Sequence, residues 1–125
     1  MSSYTIYKEN IIEELEALSS YEFQRIAWFE NDQGISYLYN EIVSDLFDDF
    51  HLDEALDDQV IIFSNQADNA LRELREATDK IDGNNYPESK LIDLPNMQIV
   101  REKAAKALAL IQASDGSEST VEIIE

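Results

Sequence analysis

Cysteine is absent from this chain, and histidine occurs once, as His51. Without thiols there is no disulfide and no thiolate metal site, and a reducing compartment fits. The one histidine leaves Asp48 and His51 as a lone Asp-x-x-His pair. A carboxylate-bridged di-metal bundle needs two such pairs and further glutamates from other helices, so its second histidine does not exist. Glycine is almost as scarce, with three residues in 125. The phosphate-cradling patterns G-x-G-x-x-G and G-x-x-x-x-G-K-[ST] are missing. So are a nucleophile elbow and a glycine-rich oxyanion loop, which leaves Ser44, His51 and any nearby acid without the frame of a catalytic triad. An EF-hand loop fails as well, because no start at Asp45, Asp48, Asp49 or Asp53 fills the required positions.

Long apolar runs are also lacking. No segment reaches the roughly 18 consecutive apolar residues of a membrane span, and the N-terminal MSSYTIYKENIIEELEAL does not have the basic-then-apolar order of a signal peptide. The reading is a cytoplasmic protein without catalytic residues, cofactor or bound metal.

Positive charge is the most telling shortage. Nine lysines and arginines face 27 aspartates and glutamates, a net charge of −18. Such a field repels phosphate, which argues against nucleic acid and anionic membranes as direct partners and favours basic proteins or cations. Between Arg25 and Arg72 there is no basic residue apart from His51, yet Glu30, Asp32, Glu41, Asp45, Asp48, Asp49, Asp53, Glu54, Asp57, Asp58 and Asp68 lie there. Residues 72–113 instead balance seven acids with seven bases. An acidic excess loaded into the middle of the chain suggests a directed face.

What is present is helical periodicity. Ile11, Ile12, Leu15 and Leu18 make one stripe over Lys8 to Leu18. Ser19 or Ser20 can cap a second helix, YEFQRIAWFEN, which offers Phe23, Ile26, Ala27 and Phe29 or Trp28 to a core. On residues 35–50, Ile35, Leu38, Tyr39, Ile42, Val43, Leu46 and Phe50 share a face, with Phe47 at its border. Leu56, Val60, Phe63, Ala67, Ala70, Leu74, Ala77 and Ile81 recur at spacings of four and three, which predicts a long helix reaching Ile81. DGNNYPESK, residues 82–90, breaks the pattern as a loop. Asp93 and Pro95 announce a last helix with Met97, Val100, Ala104, Ala107, Leu108 and Ile111 inside. The fold class is therefore all-α, a single-domain bundle of about five helices over residues 1–113. A polar tail follows over 114–125, whose VEIIE can form a short strand or clamp against the N-terminal YTIYK.

On the central helix the face opposite the core carries Tyr37, Glu41, Ser44, Asp45 and Asp48. Its acids are locally unfavourable. Asp45, Asp48 and Asp49 stand at the negative end of the macrodipole, at about 0.3 to 1 kcal/mol each. Glu41 with Asp45, and Asp45 with Asp49, are like-charge i,i+4 pairs. A cationic partner would explain such a face, although a run of charges is also what any solvated face presents. Asp53, Glu54, Asp57 and Asp58 join the candidate set, with an ordinary alternative as acids opening the next helix.

A small, acidic, cysteine-free, mostly helical chain with Tyr37 and carboxylates as far as Asp58 on one surface resembles the immunity proteins of bacterial toxin systems, including contact-dependent growth inhibition. The resemblance implies a basic toxin domain, often a nuclease, as partner. Tyr37, Glu41, Ser44, Asp45, Asp48, Asp49, Asp53, Glu54, Asp57 and Asp58 are the candidate partner-binding residues. Tyr37 leads as aromatic anchor, followed by Tyr39 or Trp28 if exposed. The chain itself is expected as a monomer or weak homodimer. An acidic nucleic-acid mimic or regulatory adaptor that binds a basic DNA- or RNA-binding protein is the alternative, and an enzyme or metal-dependent helical protein is the third class.

Overall fold

The computed structural model describes residues 4–30, 39–49, 51–81 and 88–124, and within them the side chains of all but residues 29, 30, 49, 88 and 89. The architecture is helical, with one small two-stranded sheet, as the periodicity predicts.

Helix α1 (Lys8–Ser19) buries Ile11, Ile12, Leu15 and Leu18. Glu14 is buried as well. Helix α2 (Tyr21–Arg25) starts on Ser20, whose hydroxyl accepts the Phe23 N–H at 3.0 Å. Its Gln24 turns back and donates to the carbonyls of Ala17 and Leu18 at 3.0 and 2.8 Å, filling orphan acceptors at the end of α1. After α2 the chain makes a π-helical turn, Ile26–Glu30. Its wider i→i+5 pitch shifts the register. Ala27 and Trp28 are buried on the face of Gln24, three and four residues after it, while Ile26, expected inside, points away from that face and is 41% exposed.

The central helix repeats the device. Helix α3 (Tyr39–Ser44) passes into a second π-helical turn, Asp45–Asp49. Tyr39, Ile42, Leu46 and Phe47 are buried, so the apolar stripe survives with Phe47 fully inside it. Trp28 meets Tyr39 edge to face, ring centroids 6.5 Å apart.

The long helix expected up to Ile81 is two helices. Helix α4 (Leu52–Asp57) and helix α5 (Asn65–Asp79) are separated by a turn in which Gln59 adopts left-handed backbone geometry, φ 60°. Side-chain capping makes the break stable. Ser64 accepts the Ala67 N–H at 3.1 Å, and the buried Asp68 carboxylate accepts the N–H groups of Ile62 and Phe63 at 2.8 and 3.1 Å. Leu56, Phe63, Ala67, Ala70, Leu74, Ala77 and Ile81 are all buried nonetheless. The periodicity correctly reported burial and overstated continuity.

Within the predicted loop, Glu88–Leu91 forms a short helix, α6. Helix α7 (Pro95–Ala113) opens with Pro95 in its first turn and lies along both α5 and α1, burying Met97, Val100, Ala104, Ala107 and Ile111. It also buries Arg101, which donates to Gln24 at 2.9 Å, to the Ile92 carbonyl at 3.1 Å and to Gln98 at 3.0 Å, with the guanidinium over the Tyr21 ring.

The tail returns to the beginning of the chain. Strand β1 (Thr5–Tyr7) pairs in parallel with strand β2 (Glu122–Ile124), in the register Thr5 to Glu122, Ile6 to Ile123 and Tyr7 to Ile124. This is the clamp expected between VEIIE and YTIYK. No helix among the described residues is long and apolar enough to cross a membrane.

Candidate partner-binding site

Four of the candidate residues, Ser44, Asp48, Asp53 and Asp57, come together from two elements of the middle segment at one groove. Glu41 on α3 and Asp48 on the π turn are exposed, and Ser44 and Asp45 are half-buried between them. Asp53, Glu54 and Asp57 follow on α4, and Asp58 caps its end. Tyr37 lies outside the described residues, as does the side chain of Asp49. The other two aromatic candidates are core residues: Tyr39 is 2% exposed and Trp28 9%. Burial holds the Tyr39 phenol far above its ordinary pKa, with Asp79 adding to the effect, and the hydroxyl donates to the Thr78 carbonyl at 3.4 Å.

Between α3 with its π turn and the pair α4–α5 runs an open groove of about 650 Å³, whose lining includes Ser44, Phe47, Asp48, Asp53, Asp57 and Asp79. One cation enters it. Arg75, on α5, donates to Asp53 at 3.2 Å and to Asp57 at 3.0 Å. These two acids, grouped at first with the free carboxylates of the candidate face, are thus engaged by the chain's own arginine. Their pairing depends on the turn between α4 and α5, which brings the Arg75 side chain within reach of α4, and no spacing in the sequence announces it.

The electrostatics of the pair are uneven. Burial is the largest influence on Asp53 and raises its pKa, against the pull of Arg75, with Asp48 and Asp57 pushing further upward. Arg75 itself is held above its ordinary value because the two carboxylates outweigh its own burial.

The remaining candidates have smaller attachments. Ser44 donates to Asp48 at 3.5 Å, a marginal bond. Asp58 accepts the hydroxyl of Tyr4. His51 approaches Glu54 to 3.9 Å, both side chains being exposed. Among the described residues no lysine or arginine comes within ion-pair distance of Glu41 or Asp48.

Arg75 and Asp79 are the charged members of the groove that sequence reasoning missed. Both lie on α5, in the segment whose charges balance, and only the chain's path sets them opposite Asp48 and Asp53. Among the described residues no three or more histidines and carboxylates converge as a metal site would. Compared with protein-family models, with curated proteins and with solved structures, the chain gives no match.

Proposed function

We propose that this chain is an inhibitor of the immunity-protein type, which binds a basic partner domain, a toxin nuclease, and covers the positive groove that such an enzyme keeps for phosphate. The observation that carries the reading is the pair Glu41 and Asp48. Both are exposed, and among the described residues neither has a lysine or arginine within ion-pair distance. They belong to a molecule whose net charge is −18.

A nuclease groove is positive because it holds a polyanion. A carboxylate-bearing face can occupy it in place of substrate, and long-range attraction would bring association to about 10⁸ M⁻¹s⁻¹ or more at low salt. Arg75 divides the surface into two roles. Asp53 and Asp57 are largely satisfied at home, whereas Asp48 and Asp79 in the groove and the exposed Glu41 on α3 are acceptors for an incoming guanidinium or ammonium.

The experiment is charge reversal at the two unpaired acids. The variant Glu41→Lys with Asp48→Lys, tested against a catalytically inactive basic nuclease domain encoded beside this gene, should associate at least about tenfold more slowly and lose most of its salt dependence. Association at the native rate with the native salt slope would refute the reading. Competition by DNA for a non-enzymatic basic protein would favour the nucleic-acid mimic instead.

A further inference from the structure

A second surface lies on the ribbon that joins the two ends of the chain. Its inner face is held by the fold: Ile6 is fully buried and Ile123 half-buried. Its outer face carries Thr5 beside Glu122 and Tyr7 beside Ile124. Tyr7 and Ile124 are 48% and 39% exposed, and they are cross-strand neighbours. An aromatic ring and a branched aliphatic side chain so placed form one apolar step.

The edge of β2 is open as well. Glu122 donates its N–H to the Tyr4 carbonyl at 3.1 Å, and Thr120 donates to the Ile61 carbonyl at 2.8 Å, so the even-numbered backbone groups face inward. Strand alternation then turns the N–H and C=O of Ile123 to the other side. No third strand meets them among the described residues.

We propose that this edge accepts an extended, basic segment of a partner polypeptide, added beside β2 as a third strand. Charge selects the occupant. Glu122 stands exposed on the outer face of a chain whose net charge is −18, so lysines or arginines alternating with apolar residues would meet a carboxylate and the Tyr7–Ile124 step in turn. A second copy of this chain would bring another net charge of −18 to the same edge. Two strands alone are a marginal sheet, and a third adds main-chain hydrogen bonds as well as apolar contact. The inference is independent of the acidic groove because the residues are different.

Backbone amide exchange on the full-length chain tests it, with a capped heptapeptide alternating lysine and valine as probe and a peptide of the same composition, with its lysines and valines in blocks, as control. The alternating peptide should slow exchange of the Ile123 amide by at least about tenfold, and the block peptide should not. Tyr7→Lys with Ile124→Lys, both on the exposed face, should abolish the protection, whereas Glu41→Lys with Asp48→Lys should leave it in place. Binding of either peptide without protection at Ile123, no binding at all, or protection that already grows with the concentration of the chain alone would each overturn the proposal, the last by making a second copy the occupant.

Discussion

Arg75 Nη1 lies 3.0 Å from Asp57 Oδ1, across the turn between α4 and α5. The contact joins the charge-balanced second half of the chain to its acidic middle. It also leaves the acidic groove with one arginine among its acids.

Removing that arginine should separate stability from binding. Arg75→Gln is expected to destabilise the fold by about 1 kcal/mol, because the ion pairs it breaks are partly open to solvent. The same change should speed association with a basic nuclease domain several-fold at low salt, since the groove loses its one positive charge. Urea titration and stopped-flow association measure the two effects.

Asp68 is a larger structural commitment than any acid of the candidate face. Its carboxylate holds two backbone N–H groups in the break between α4 and α5. Asp68→Ala should cost about 2 to 4 kcal/mol, because both donors would be buried without acceptors. The shift in urea midpoint at constant slope would show it, and Asp68→Asn should recover only part of the loss.

Arg101 is buried with neutral partners, joining α7 to Gln24 and to the Ile92 carbonyl. Arg101→Met keeps most of the volume and removes the charge. It should still destabilise by about 2 kcal/mol, because Gln24 and the Ile92 carbonyl lose their donor. The cost of Gln24→Ala should be strongly non-additive with it in a double-mutant cycle.

Gln59 adopts a left-handed conformation, φ 60°, and is exposed. Glycine there should stabilise the fold by up to about 1 kcal/mol, since the steric cost of a Cβ in that region disappears. Thermal melting of Gln59→Gly checks the sign, and Gln59→Val should move it the other way.

The pH dependence of stability should contain opposing carboxylates. Glu22 and Glu73 are held below the ordinary carboxylate value, chiefly by hydrogen bonds from Arg25 and Lys103. Their stabilising contribution is present above the unfolded-state pKa and disappears as pH falls through the folded one. Asp53 is held above its ordinary value by burial. A raised folded pKa means that the native state takes up the proton first, so the contribution of Asp53 grows as pH falls and is least favourable near neutrality. Asp53→Asn should therefore leave stability near pH ~7 unchanged or improved, and should give a steeper loss toward pH ~4 than the native chain shows. Chemical denaturation at the two pH values measures the difference.

Sequence alone determined the helical class, the positions of most buried side chains, a serine cap at Ser19 or Ser20 and the proline-led start of α7, and it offered the pairing of the two chain ends. These follow from local signals, namely apolar period, capping chemistry and alternation over a few residues, each of which acts within one or two turns of backbone. Tertiary structure decided the rest. The π turn at Asp45–Asp49 carries Phe47 fully inward, and a wider helical pitch leaves no mark in a pattern read at 3.6 residues per turn. The break at residues 58–64 depends on Asp68 reaching back to Ile62 and Phe63, a contact that looks in sequence like one more helical acid. Which carboxylates meet a cation of the same chain was likewise settled at a distance, since Arg75 on α5 reaches Asp53 and Asp57 on α4, while among the described residues no arginine or lysine comes within ion-pair distance of Glu41 or Asp48.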